Sequence, residues 1–429
     1  MQKKAVSEVK GEMGEEITLA SVLKEKYDCV VGNPPYVNLP KKDKVYKNIL
    51  SHYEDVTSGI VNSSTLFIKR GLDLLTEYGM VGFIVPKSVL RVDSYEPIRR
   101  YILDNCEIKS IADVGIPFEE VGYEEVIIIL KKQKDKAKRD ENRIRIITGI
   151  EDLSNKKYKS HKIKQNVFNY IGVFSIYLTY DVLNIVYKIN RNCKKLGDIS
   201  DIFRGLGISK NKPFVLDEKE DRSDEKILRG KGIGRYETKF YLYLDTNHEE
   251  VKKYKKAMSR LRHKKIVAQN IVTSKVRVVS TYDEEGCLNI DTITNIMVTD
   301  KDFIDKYVLA VINSKLMTFY IRDVVFNKAL LTMHLDAPYS GKLPIKKCSK
   351  SKQKEFAELA DKMLSLNKKL KKLNEKVEKT NKLESEYYNL AKEQENTKNE
   401  IEKINDLIDE KVYKLYGLNE KEVKIIGNN

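Results

Sequence analysis

One short segment, residues 27–36, constrains the fold more than any other part of this 429-residue chain. An apolar run over 27–32 predicts a buried β-strand that ends in a tight turn. Directly after it come Asn33, Pro34, Pro35 and Tyr36. These residues place an amide, a rigid backbone and an aromatic ring at the carboxyl end of the strand, where open α/β sheets bind their ligands. The segment therefore predicts an α/β domain with a ligand site directly after this strand.

The chemistry of these four residues suits a planar base that carries an amine. The side-chain carbonyl of Asn33 can accept a hydrogen bond from an exocyclic amine. Pro34 keeps its own carbonyl free because the ring of Pro35 fixes the local backbone. Tyr36 offers the face of its ring for stacking. The alternative is an ordinary turn, since Asn-Pro and Pro-Pro pairs are common in loops.

Strand and helix signals alternate from residue 27 to residue 132. Strands are predicted over 27–32, 79–85, 108–113 and 123–131, and helices over 64–77 and 94–105. This alternation is typical of a parallel α/β sheet. The charged run from Lys131 to Arg143 then predicts the exit loop of this region.

Several ordered blocks here resemble the second half of the catalytic domain of DNA adenine amino-methyltransferases, above all the TaqI-type and type IIG restriction–modification group. Residues 28–36 match that family's D-x-V-V-G-N-P-P-Y block, and residues 79–88 match its G-x-x-G-F-I-x-P strand and loop. Phe118, ahead of an apolar run, matches the family's second aromatic residue. The resemblance implies site-specific adenine-N6 methylation of DNA, with the flipped adenine between Tyr36 and Phe118 and its amine oriented by Asn33 and Pro34.

The family's cofactor-binding half is not found in this sequence. In the family a glycine motif and an acidic residue precede the N-P-P-Y block by a few βα units, whereas only 32 residues precede Asn33. The resemblance therefore implies a partial Rossmann-like sheet, S-adenosylmethionine as the cofactor, and a protein partner that carries the cofactor-binding half. Without that half, the 27–32 strand is expected to be an exposed edge, which favours pairing with another chain. The alternatives are the remnant of a truncated type IIG enzyme and a non-catalytic DNA-specificity module.

Composition indicates a polyanionic partner. Lys and Arg number 79 against 63 Asp and Glu, which gives a net charge of +16 and favours double-stranded DNA as the partner. The five Cys and five His residues are scattered without the spacing of a metal site or a disulfide framework, which fits a reducing cytoplasm. The apolar runs are too short to cross a bilayer, so no membrane association is expected.

Residues 195–348 contain short β-type runs and glycine-rich turns that resemble, in order, the blocks of the family's α+β target-recognition domain. Basic residues flank these turns and are predicted to form a rim that contacts the DNA backbone: Arg204, Lys210, Lys212, Arg229, Lys231 and Arg235. Taken singly, each of them is better explained as solvated surface, and only as a cluster do they indicate a rim that contacts the DNA backbone.

The sequence pattern predicts a helical tail over residues 349–429. Apolar residues at heptad spacing from Leu359 to Val377 predict a long helix, and the phase slips near Thr380 before a return helix begins. Either a helix pair packed on the recognition domain or a spacer or dimer-forming coiled coil fits this pattern. The chain is thus interpreted as a catalytic half (1–150), a connector (151–194), a recognition domain (195–348) and the tail (349–429).

Overall fold

The structure, a computed structural model, describes residues 9–10, 16–17, 25–40, 44–117, 122–152, 155–221, 224–272, 277–329, 333–381 and 385–427. The chain divides into two compact units, residues 1–180 and 181–429. Within the described ranges, no helix is both long enough and apolar enough to cross a membrane.

The first unit is built on a six-stranded sheet with helices against it. Its strands are β1 (Tyr27–Gly32), β2 (Leu75–Pro86), β3 (Cys106–Gly115), β4 (Glu125–Lys132), β5 (Arg143–Asp152) and β6 (Lys157–Lys164). The order across the sheet is β6-β5-β3-β4-β2-β1. Its two longest helices are α1 (Ser63–Asp73) and α2 (Glu96–Asn105), and the shorter ones are Lys44–Ser51, Lys136–Glu141 and Val167–Ile171.

The parallel sheet predicted from the sequence is interrupted by β4. Strands β1 and β2 are parallel, as are β3 and β5, but β4 runs antiparallel to both β2 and β3. The cause is the length of the connection between β3 and β4, because residues 116–124 are too few for the crossover that parallel neighbours need. The fold is therefore mixed α/β, with parallel pairs β1–β2 and β3–β5 on either side of the antiparallel strand β4.

The four predicted strands are all present: the first has the predicted ends, and the ends of the other three are shifted. The helix predicted over 64–77 ends at Asp73, because Leu75 already pairs with Tyr27 and belongs to β2. The run from Lys131 to Arg143, predicted as an exit loop, contains a short helix and leads into β5 and β6 of the same sheet.

β1 lies at the edge of the sheet, as predicted, but the prediction of a buried strand from its apolar run is wrong, because none of its residues is buried at this edge. The side chain of Val31 is 77% exposed. Successive strand residues point to opposite faces, and the face that carries Val81 and Phe83 is buried against α1. The opposite face is open around Met80, which is 44% exposed, and Gly82, where an added Cβ would meet no atom within 4 Å.

The second unit contains two four-stranded sheets. Its strands are β7 (Ser200–Arg204), β8 (Val215–Leu216), β9 (Asp224–Leu228), β10 (Leu242–Asp245), β11 (Lys265–Gln269), β12 (Ser280–Asp283), β13 (Leu288–Asn289) and β14 (Ile293–Val298). One sheet has the order β7-β14-β11-β12 and the other β8-β10-β9-β13. Helix α3 (Asp305–Ile312) is buried over most of its length and packs against β11 and β12.

The tail is a helical hairpin that packs on this unit. Helix α4 (Lys350–Lys379) is followed by α5 (Ser385–Tyr416) and a final helix, Glu420–Gly427, so the predicted long helix, break and return helix are confirmed. Ion pairs of 2.7 Å join Lys362 to Glu400 and Lys369 to Glu393, which requires the two long helices to run antiparallel.

Candidate functional site

The Asn33–Tyr36 segment lies at the carboxyl end of β1, as the sequence predicts. The ladder between β1 and β2 ends at the pair Gly32–Phe83. The carbonyl of Ile84, one residue further along β2, instead accepts a hydrogen bond of 3.0 Å from the Tyr36 hydroxyl. The tyrosine side chain thus continues the contact with β2 where the backbone of β1 turns away.

The Tyr36 hydroxyl also fixes the amide of Asn33. It lies 2.8 Å from the Asn33 side-chain oxygen, Oδ1. Partial burial, together with the negative charge of Glu125, raises the pKa of Tyr36 to about 12, so the hydroxyl keeps its proton at neutral pH. That single proton is donated to Asn33 Oδ1 or to the Ile84 carbonyl, or is shared between the two oxygens. A carbonyl oxygen has two lone pairs, so Asn33 Oδ1 can still accept a hydrogen bond from a second donor.

The first residue of α1 anchors the backbone of this segment. The Ser63 hydroxyl donates to the Pro35 carbonyl at 2.5 Å and accepts from the Val37 N–H at 3.0 Å. The Ser63 N–H donates to the Val37 carbonyl at 2.8 Å. No group of the described residues donates to the Pro34 carbonyl, although Pro34 itself is buried, whereas Asn33 is exposed at the strand end.

A buried charged cluster ties the neighbouring strand ends together. Lys87, directly after β2, lies 2.8 Å from an Asp113 oxygen on β3 and 3.1 Å from a Glu124 oxygen at the start of β4. The Tyr177 hydroxyl donates to Asp113 at 2.6 Å. This cluster is not predictable from the sequence, because its members are separated by 11 to 90 residues and form no local pattern.

Glu125, the first residue of β4, is buried without a partner among the described residues. It is 1% exposed, and neither of its carboxyl oxygens has a hydrogen-bond partner in the part of the chain that the structure describes. Glu124 and Glu125 are successive residues on extended backbone and point to opposite faces, so Glu125 does not reach the Lys87 cluster. Its cross-strand neighbours, Pro86 and Gly115, carry no polar side chain. Burial accordingly raises the pKa of the Glu125 carboxyl.

We expect Glu125→Gln to increase the free energy of unfolding at pH 7, because it removes a buried charge that no described residue pairs with. The pKa of Glu125 is raised in the folded state, so folding favours the protonated carboxyl. Protonated Glu125 therefore adds to the stability of the fold at low pH, and this stability is lost as the pH rises through the pKa of the folded state. The gain from Gln should therefore be larger at pH 7 than at pH 4. Urea unfolding of the wild type and of Glu125→Gln at both pH values measures this difference in the free energy of unfolding.

The adjacent residue provides the control for this experiment. Glu124→Gln removes a carboxylate that is ion-paired with Lys87, and it should destabilise the protein at pH 7. Equal effects of the two substitutions, or a loss of stability in Glu125→Gln, would contradict the assignment of Glu125 as an unpaired buried acid.

Phe118, predicted as the second base-stacking residue, lies outside the described residues, so its role stays a prediction. Residues 118–121 belong to the connection between β3 and β4. On either side of them, Ile116 and Tyr123 are 44% and 50% exposed. Tyr123 is an exposed aromatic residue that the sequence analysis did not single out.

Three of the six predicted DNA-binding cations lie together in the second unit. Lys210, Arg229 and Lys231 line one cavity of about 790 Å³. None of the three forms an ion pair with another described residue. The Arg229 guanidinium lies 5.6 Å from the centre of the Phe240 ring. Positive charge is therefore left unneutralised at this cavity.

The other three predicted cations contact the protein itself. Arg204 lies 3.0 Å from Asp336 and donates to Asn270, and Lys212 pairs with Glu250 at 3.3 Å. The Arg235 guanidinium donates to the Asn313 carbonyl at 2.5 Å, and burial lowers its pKa. The structure does not bring these three side chains into the lining of the cavity.

The glycine turns noted in the sequence lie beside this cavity, where their backbone closely approaches residues 290–292. A Cβ on Gly205 would lie 2.3 Å from the Ile290 carbonyl, and one on Gly230 would lie 2.9 Å from the Thr292 carbonyl. The Leu206 carbonyl also accepts a hydrogen bond of 2.8 Å from the Asp291 N–H. Both turns are therefore held against residues 290–292, where a larger residue would push them apart.

Two protein families match the chain, one in each unit. Residues 2–117 match the Eco57I restriction-modification methylase family, and residues 225–345 match the TaqI-like C-terminal specificity domain. The chain is a relative of the type II restriction–modification methyltransferases. The first match contains the Asn33–Tyr36 segment, and the second contains Arg229, Lys231 and residues 290–292 of the cavity wall.

Curated proteins of the same kind are similar over longer stretches. A putative type II restriction enzyme and methyltransferase of Methanocaldococcus jannaschii is 25% identical over 324 residues, 71% of this chain and 26% of its own length. A type II methyltransferase of Acinetobacter calcoaceticus is 23% identical over 61% of this chain and 49% of its own length. A type II methyltransferase of a Vibrio species is 26% identical over 46% of this chain and 45% of its own length. The chain thus spans half or less of the length of these relatives.

The fold also matches a solved structure, that of the type IIL restriction–modification enzyme MmeI in complex with DNA. The TM-score is 0.58 at 11% sequence identity, over 93% of this chain and 56% of MmeI. At that identity the match supports the arrangement of the fold rather than any individual residue.

Proposed function

We propose that this chain provides the base-binding and DNA-recognition parts of a site-specific adenine-N6 DNA methyltransferase. The observation that carries the proposal is the Asn33–Tyr36 segment, which places the Asn33 amide, the Pro34 carbonyl and a fixed aromatic ring at the carboxyl end of β1. The relatives are methyltransferases of restriction–modification systems, and MmeI was solved bound to DNA. The adenine, its flipping and the assignment of Asn33 are our inferences from this geometry.

The two acceptors match the two hydrogens of an adenine amine. The target base must leave the duplex, because its amine is paired and stacked inside it. Asn33 Oδ1 and the Pro34 carbonyl would each accept one amine hydrogen and hold the nitrogen lone pair toward the incoming methyl group. The Tyr36 ring, held by its hydroxyl, would support the face of the base. The proton lost after methylation can pass to water, so no general base is required.

S-adenosylmethionine supplies the methyl group when bound. The described residues of the first unit provide acceptors for the base but no glycine-rich turn after a strand, so they do not form the cofactor pocket by themselves. We place that pocket in a further α/β segment that pairs with the edge of β1 and covers the open face around Val31 and Met80. Sheets with parallel strands are ordinarily covered on both faces, which is the physical reason for this placement.

Co-expression tests the proposal. The chain alone should bind no S-adenosylmethionine in calorimetry and transfer no methyl group. Together with a polypeptide that carries the glycine-motif half of a related methyltransferase, it should introduce N6-methyladenine into DNA, measured by mass spectrometry of nucleosides. Val31→Lys, at the exposed edge, should abolish this complementation, whereas Val37→Lys, exposed beyond the strand, should preserve it.

Each other outcome has a distinct meaning. A clear binding isotherm of the lone chain with S-adenosylmethionine would contradict the placement of the cofactor pocket. Sequence-specific DNA binding without methylation by the complemented protein would favour the alternative function, a specificity module with no catalysis of its own. That alternative is supported by the unneutralised cavity of the second unit.

A further inference from the structure

Asp291 is the only acidic residue among the described residues that line the basic cavity. Its carboxylate forms no ion pair or hydrogen bond with any described residue. Its position is nevertheless fixed, because its backbone N–H donates to the Leu206 carbonyl at 2.8 Å. A half-buried carboxylate therefore stands unpaired in a cavity that also holds three unpaired cations.

Other carboxylates of the same unit behave differently. Asp201 lies 2.5 Å from Arg260, Glu225 lies 2.6 Å from Arg262, and Glu250 lies 3.3 Å from Lys212. Each of these acids is neutralised by a cation of the protein. Asp291 differs from them in both its position and its lack of a partner.

The cavity combines apolar walls with this mixed charge. Ile208, Ile271 and Ile290 contribute the apolar surface, and the cations suit phosphate oxygens. A carboxylate at the same place repels phosphate, so it lowers the affinity for DNA as a polyanion. The groups of DNA that a carboxylate attracts are the exocyclic amines of the bases, such as N4 of cytosine in the major groove.

We propose that Asp291 reads the exocyclic amine of one base in the recognition sequence, while Lys210, Arg229 and Lys231 hold phosphates around it. This inference rests on the DNA-specificity role proposed above and names a residue that determines the specificity. The repulsion between Asp291 and phosphate then discriminates between DNA sequences. It is offset only in a sequence that places a base amine beside the carboxylate.

Selection from random-sequence duplexes tests this assignment with the full 429-residue chain, at two salt concentrations. Asp291→Ala should bind random DNA more tightly than the wild type, because one negative charge is removed. It should also lose the preference for one base at one position of the site. The ratio of affinities for that base over the others should fall by about 5- to 150-fold, which corresponds to about 1–3 kcal/mol per base contact. Asp291→Asn keeps the size of the side chain and should shift that preference toward adenine, which pairs with Asn through N6 and N7.

Glu250→Ala is the matched control, because it removes the same charge outside the cavity. It should raise the affinity for random DNA without changing the selected sequence. If Asp291→Ala and Asp291→Asn both select the wild-type sequence, the assignment of Asp291 is overturned and the DNA-specificity role stands. If the wild-type chain selects no sequence at either salt concentration, the specificity role fails, and the assignment of Asp291 with it.

Discussion

Asn33→Ala is expected to reduce methyl transfer by the complemented protein at least about 100-fold, the scale of a misplaced reacting group. The substitution removes the acceptor that orients the amine and leaves the rest of the strand end in place. Because the contact acts in the transition state, DNA affinity should change little and the loss should appear in kcat. Single-turnover transfer of a labelled methyl group, together with a DNA-binding titration, measures both quantities.

Two further variants make this result specific. Tyr36→Phe keeps the ring but removes the hydroxyl that holds Asn33 and the Ile84 carbonyl, so its loss should be smaller than that of Asn33→Ala. Asn38→Ala removes a nearby amide that hydrogen-bonds with Asn62, and it should leave methyl transfer near the wild-type rate. Methylation that survives in Asn33→Ala would remove the central assignment of the proposed function.

The largest expected effect on stability comes from Lys265, at the start of β11. Its ammonium is buried and lies 2.6 Å from Asp283, and it also donates to the carbonyls of Leu261, His263 and Cys287. Lys265→Met leaves the Asp283 carboxylate buried without its cation. The free energy of unfolding should fall by about 3–5 kcal/mol. Thermal and urea unfolding followed by circular dichroism would measure this loss.

A neighbouring exposed ion pair is the control for Lys265. Lys226 lies 2.8 Å from Glu285, but both side chains are largely exposed. Lys226→Met should therefore change the free energy of unfolding by less than about 1 kcal/mol. A loss of similar size in both variants would show that the burial of Lys265 is not what makes its ion pair important.

The position of the candidate base site could be read from the sequence because its signals are local. The 27–32 strand, the turn at Gly32 and the rigid Asn33–Tyr36 segment follow one another, so the placement of the acceptors at a strand end needs no distant contact. The exposed edge at Val31 agrees with the prediction, since β1 is the last strand of the described sheet. The direction of β4 was not predicted: the alternating pattern indicated a parallel strand, whereas the short connection from β3 makes β4 antiparallel to both neighbours.

The partners of the side chains were decided by the tertiary structure alone. The Tyr36 hydroxyl bonds to Ile84, 48 residues away, and Lys87 finds Asp113 and Glu124 on two other strands. Of the cations beside the glycine turns, the sequence does not distinguish Arg204, which pairs with Asp336, from Arg229, which forms no ion pair with a described residue. Residue type and spacing fix what a side chain can do, but burial and pairing depend on which distant segments the fold brings beside it. The sequence therefore determined the residue types of the Asn33–Tyr36 segment and its location at a strand end, and the folded structure decided which charges are neutralised and which are not.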